Sequence, residues 1–86
     1  MRKLPQRLVN VRAPSRVALT AAIDAPALTE AVARESHGLD GRGRVLVRTS
    51  GTEPLIRVMV EAPTDAEADA TCERLCDAVR AALAAQ

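Results

Sequence analysis

Two short apolar runs, Val45-Leu46-Val47 and Ile56-Arg57-Val58-Met59-Val60, stand on either side of a segment rich in Ser, Gly, Thr and Pro. Runs this short and this β-branched suit strands, and the polar residues between them suit a tight connection. Nothing else in the chain restricts the fold as strongly. Side chains alternate along a strand, so Val45 and Val47 share a face, and so do Ile56, Val58 and Val60. A third run, Leu8-Val9-Asn10-Val11-Arg12, also alternates and puts Val9 and Val11 together. Paired in one sheet, these residues make one wholly β-branched face. The opposite face carries Asn10, Arg12, Leu46, Arg48, Leu55, Arg57 and Met59. Parity therefore places Arg48 and Arg57 on one face of neighbouring strands.

The β-branched face needs a cover, and helical patterns supply it. Asp24-Ala25-Pro26 reads as a helix start, with Asp24 near the N-cap and Pro26 in the first turn. Leu28, Ala31 and Val32 follow as its apolar stripe, and Gly38 is expected to close it. Val17 to Ile23 is ambiguous between a helix lead-in and an extended connection. After Ala62-Pro63, Thr64 and Glu67 fit a capping box. From there Ala68, Cys72, Leu75, Cys76, Val79 and Leu83 recur at helical spacing. The expected fold is α+β: a small, mostly antiparallel sheet with two helices packed on one face. The arginine-bearing face stays open to a partner or ligand.

The connection itself, Arg48-Thr49-Ser50-Gly51-Thr52-Glu53-Pro54-Leu55-Ile56-Arg57, has the chemistry of an anion cradle. Hydroxyls and backbone N–H groups donate hydrogen bonds, and glycine lets a ligand approach the backbone. Arginine offers planar, bidentate donors that match phosphate oxygens. The plainer alternative is a hairpin with ordinary turn residues and two solvated arginines. Parity favours the cradle, and what it supports is binding of a phosphate or carboxylate.

Composition removes other classes. Eighty-six residues bound the chain to one small domain, residues 1–86, which buries only about 60–65% of its unfolded surface. With no Phe, Tyr or Trp and a formal net charge of +1, there is neither a stacking platform nor a basic field for nucleic acid. Cys72 and Cys76, four apart and without a nearby histidine, read as small helix residues and not as a zinc site. His37 reads as a surface or capping residue near a helix C-terminus. Arg42 and Arg44 read as solvated, with Arg44 able to widen the positive field beside Arg48. Met1-Arg2-Lys3 is followed by Leu4-Pro5-Gln6-Arg7, where a signal peptide needs an apolar run. No stretch approaches membrane-spanning length, so a cytoplasmic setting with no membrane partner is expected.

The run from Arg48 to Glu61 resembles the phosphate-binding loop in the C-terminal domain of the α-D-phosphohexomutases. Pro5-Gln6-Arg7-Leu8-Val9-Asn10-Val11-Arg12 resembles the start of that domain, and Gly43-Arg44-Val45-Leu46-Val47-Arg48 its approach to the loop. Gly51, with the continuation Leu55-Ile56-Arg57-Val58-Met59-Val60-Glu61, favours the phosphoglucosamine mutase branch. Thr49 departs from the proline common there, at a position that need not touch ligand.

The resemblance implies a TATA-binding-protein-like domain at the end of a longer mutase. That enzyme interconverts glucosamine 6-phosphate and glucosamine 1-phosphate through a phosphoserine and a bisphosphate intermediate. It implies Mg²⁺ and a sugar bisphosphate activator for the whole enzyme, and no cofactor for this domain. Its partners would be a hexosamine phosphate and the other mutase domains. Arg48, Ser50, Gly51, Thr52 and Arg57 would hold the substrate's phosphate, with Glu53 and Pro54 shaping the loop. No residue here matches the family's catalytic serine or metal-binding aspartates, so the chain alone is expected to bind phosphate without catalysis. Two alternatives stay open: the same domain of a phosphomannomutase or phosphoglucomutase, and a free-standing anion-binding interaction module.

Overall fold

A computed structural model describes residues 4–85. The Met1-Arg2-Lys3 segment weighed above lies outside the described residues. Strand β1 spans Gln6–Arg12, β2 Arg44–Thr49 and β3 Leu55–Glu61; helix α1 spans Arg16–Ile23, α2 Pro26–Leu39 and α3 Asp65–Ala84. The strands form one antiparallel sheet in the order β1-β3-β2. The α+β class stands, with three helices where the sequence suggested two.

The extra helix is the stretch left ambiguous. Ser15 caps it, its hydroxyl accepting from the Ala18 N–H at 3.1 Å. Ala18, Leu19 and Ala22 then fall on one buried stripe. This changes the role of Asp24, which is the C-cap of α1. Pro26 at the start of α2 disfavours helical geometry in the residue before it. Ala25 is accordingly extended (φ −63°, ψ 131°) and serves as an N-cap without a side-chain bond. Gly38 does not end α2 either. The stripe Leu28, Ala31, Glu35, Leu39 continues past it, and Asp40 terminates the helix in the left-handed region (φ 48°). Aspartate visits that region more readily than most residues.

Register confirms the parity argument. Val9 lies opposite Val58, Val11 opposite Ile56, Val45 opposite Val60 and Val47 opposite Val58. On the central strand, Ile56, Val58 and Val60 are fully buried. Helix α3 lies over β1 and β3, and α2 over β2. Thr64 caps α3 by accepting from the Glu67 N–H at 3.1 Å, and its hydroxyl donates to the Glu67 carboxylate. All six positions expected for the α3 stripe are buried. Among the described residues no helix covers the other sheet face, where Leu8 is 60% exposed and Leu46 42%, although Leu55 at the start of β3 is buried.

Candidate functional site

The open face of the sheet is organised in rows. Arg48 pairs directly with Arg57, and Arg57 pairs on its other side with Asn10. Two arginines opposed across a ladder repel one another unless something offsets the charge. Arg57 donates one long hydrogen bond to the Asn10 side-chain oxygen, at 3.4 Å. Arg48 makes no ion pair or side-chain hydrogen bond among the described residues. Arg16 and Arg34 are likewise without an ion pair among the described residues, but only Arg48 and Arg57 stand side by side on one sheet face next to the turn.

The hairpin connection begins where the ladder stops. Ser50 N–H donates to the Leu55 carbonyl at 3.0 Å and closes the loop. Inside it the Ser50 hydroxyl accepts from the N–H groups of Thr52 and Glu53, at 3.3 and 3.4 Å. Both bonds are long, near the limit at which such contacts count. The Gly51 N–H has no partner among the described residues. Gly51, Thr52 and Glu53 are exposed and Ser50 half-buried. The turn thus presents one free and two loosely held backbone donors beside two hydroxyls.

Gly51 has no need of glycine for its own fold. A Cβ there would meet no heavy atom within 4 Å, and its φ lies outside the left-handed range. Gly43 is the opposite case, because a Cβ would come within 2.1 Å of the Glu61 carbonyl oxygen.

Three further residues, Asn10, Arg12 and Ala13, belong to this corner and were not singled out from sequence as site residues. Arg12, at the end of β1, donates to the Glu53 carboxylate at 3.1 Å. The adjacent Ala13 N–H donates to the Pro54 carbonyl at 2.7 Å. Together they tie the loop's far side to β1. Asn10 steadies Arg57. Parity had already put Asn10 and Arg12 on this face, but only the β1–β3 register shows which residues they meet.

Elsewhere the structure corrects expectations about free charge. Arg44 does not widen the positive field: it pairs with Glu61, its neighbour in register. The Arg44 hydrogen bond, and then one from Gln6, hold the Glu61 carboxyl below its ordinary value. Arg42 is not merely solvated, since it donates to Glu67 at 3.0 Å and to the Gly38 carbonyl. Glu35, on the buried stripe of α2, holds Arg74 through two hydrogen bonds of 2.8 and 2.9 Å. Exposed His37 lies in the last turn of α2, where a cation suits the helix end. Among the described residues no three His, Cys, Asp or Glu side chains stand together as a metal-ion site. No helix among them is long and apolar enough to cross a membrane.

Comparison with known proteins gives a consistent picture. Residues 8–78 match the family model described as phosphoglucomutase/phosphomannomutase, C-terminal domain. A phosphoglucosamine mutase of Lactococcus lactis is 43% identical over 79 residues, covering 92% of this chain and 18% of its own length. One from Streptococcus pyogenes is 47% identical over 76 residues, covering 88% of this chain and 17% of its own. Among solved structures, Aspergillus fumigatus N-acetylphosphoglucosamine mutase, in complex with GlcNAc-6P and magnesium, superposes with a TM-score of 0.76 at 34% identity. That match covers 93% of this chain and 16% of the fungal one. An N-acetylglucosamine-phosphate mutase of the alpha-D-phosphohexomutase superfamily, in its substrate complex, gives 0.72 at 26% identity, covering 88% of this chain and 15% of that one.

Proposed function

The chain belongs to the phosphoglucomutase/phosphomannomutase C-terminal domain family, and from that membership we propose that residues 1–86 form the phosphate-holding domain of a longer phosphoglucosamine mutase. The observation that carries this reading is the direct register of Arg48 and Arg57 beside a donor-rich turn. A phosphate dianion seated there removes the repulsion between the two guanidiniums. It also gives acceptors to the Gly51 N–H and to the Thr52 and Glu53 N–H groups, which Ser50 holds only loosely. Hydroxyls of Ser50 and Thr52 complete the donor set. Glycine at position 51 is explained by close approach of the ligand, since the chain's own packing does not require it.

In the whole enzyme this cradle grips the phosphate that is not reacting. Gripping contributes through positioning, which phosphoryl transfer depends on heavily. Among the described residues no carboxylate cluster fits the Mg²⁺ implied for the parent, and the metal is assigned to its other domains. The substrate assigned is a hexosamine phosphate, because the most similar relatives named above are phosphoglucosamine mutases. The setting assigned is cytoplasmic, where sugar phosphates are made and used.

Calorimetric titration tests the reading. Glucosamine 6-phosphate and glucosamine 1-phosphate should both bind, weakly and with similar affinity, and unphosphorylated glucosamine should not. Added salt should weaken the binding. Binding of the bare sugar, or none of either phosphate, would remove the proposal. Given glucosamine 6-phosphate and a sugar bisphosphate, the chain alone should form no product.

A further inference from the structure

Helix α3 carries the chain's two cysteines one turn apart, Cys72 and Cys76, on its buried side. Both thiols are free, and their sulfurs lie 4.0 Å apart. They line one cavity of about 400 Å³ together with Arg7, Val9, Asp69, Glu73 and Arg80. The phosphate-binding reading uses none of these residues.

Spacing decides what the pair can do. A disulfide needs sulfurs about 2.05 Å apart and Cβ atoms about 3.5–4.5 Å apart. Residues four apart on a helix keep their Cβ atoms about 5–6 Å apart. Direct S–S bonding would therefore distort α3. A single bridging atom fits without distortion. Two metal–thiolate bonds of about 2.3 Å span up to about 4.6 Å when collinear, so a 4.0 Å gap closes with a bend at the metal. Thiolates select soft ions, Cu(I) among them, over hard ones.

We propose that Cys72 and Cys76 form a two-thiolate site for a soft monovalent metal ion of the copper(I) class. Binding replaces two S–H bonds with two S–metal bonds, releases two protons and changes no oxidation state. The cavity gives an ion a route to the thiols, with the Glu73 carboxylate in its lining and Asp69 paired with Arg7. Burial, and then the neighbouring Cys76, push the Cys72 thiol up to about 11. The resting Cys72 thiol is accordingly protonated, and the metal must displace that proton. Once bound, the ion clips one turn of α3 to the next and stabilises the folded chain by mass action.

The test is anaerobic titration of the whole 86-residue chain against the coloured Cu(I)–bicinchoninate complex, with thermal melts alongside. The expected result is one Cu(I) withdrawn per chain and a raised melting temperature. Cys72→Ala and Cys76→Ala should each abolish both effects while keeping the wild-type circular dichroism spectrum. If an alanine variant fails to fold, the matching serine variant takes its place. Failure to withdraw copper, withdrawal of two ions per chain, or undiminished withdrawal by a single-cysteine variant would each overturn the proposal.

Discussion

Gly43 and Gly51 look alike in the sequence and answer to different constraints. At Gly43 an added Cβ would strike the backbone oxygen of Glu61, which cannot swing aside as a flexible side chain can. Gly43→Ala should therefore cost about 1–3 kcal/mol, the usual range for forced overpacking, read as a lowered denaturation midpoint. Gly51→Ala should leave stability within about 0.5 kcal/mol, because the space around it is open. Its expected defect is in phosphate binding, where the methyl group stands between ligand and backbone. An unfolding midpoint moved by Gly51→Ala and spared by Gly43→Ala would reverse this assignment. For the arginines, a charge-assisted hydrogen bond is worth about 1.5–3 kcal/mol. Arg48→Ala should thus weaken phosphate binding by about tenfold or more, measured by calorimetry. Arg48→Lys should restore only part of it, since an ammonium lacks the planar fork. The fork-bearing residues were legible from strand parity alone. Their helpers, Asn10 and Arg12, were not, because a partner across the sheet depends on register and register on the whole fold.

Helices α2 and α3 are joined by an ion pair whose two ends differ in environment. The Glu35 side chain is 9% exposed, and that of Arg74 is 58% exposed. Removing the arginine strands a mostly buried carboxylate; removing the glutamate frees a guanidinium that water already reaches. Arg74→Ala should therefore destabilise more than Glu35→Gln, with the former in the region of about 1–3 kcal/mol. Equal losses in chemical denaturation would contradict that asymmetry. At the far end of the hairpin, Arg44 keeps the folded-state Glu61 carboxyl below its ordinary value. A lowered carboxyl value adds stability above the unfolded glutamate's range, and that share is lost as pH falls through the folded value. Melting temperature should accordingly decline below about pH 4.3, and Arg44→Ala should flatten part of that decline. The elements themselves were mostly readable from periodicity and turn chemistry. Helix α1 escaped because its alanine-rich run is only 8 residues long, too short to show a repeated stripe, and its cap, Ser15, sits after a proline. Gly38 misled because burial of Leu39 outweighed the cost of glycine inside a helix.

On the scale of the molecule, a sheet covered on one side only is an incomplete enclosure for a ligand. Leu8, Met59 and Leu46 form a register row across the open face, with the arginine row next to it. The cavity beside Cys72 and Cys76 includes no cradle residue. The proposed cradle is thus an exposed half-site, and weak phosphate affinity is expected of it because little of the ligand would be desolvated. The chain spans 18% and 17% of the two curated relatives it was compared with, and in our account the missing enclosure comes from the rest of such a protein. Fold class and the strand–turn–strand unit that holds the proposed cradle could be read from the sequence because alternation and turn residues are local signals. The partnering of charges could not, since Arg44 with Glu61 and Glu35 with Arg74 depend on how distant segments meet. The central claim is that the Arg48–Arg57 turn is the anion site, and backbone amide shifts during phosphate titration test it most directly. The account predicts saturable shifts centred on Gly51, Thr52 and Glu53 that vanish in Arg57→Ala; shifts centred elsewhere, or unchanged in that variant, would contradict it.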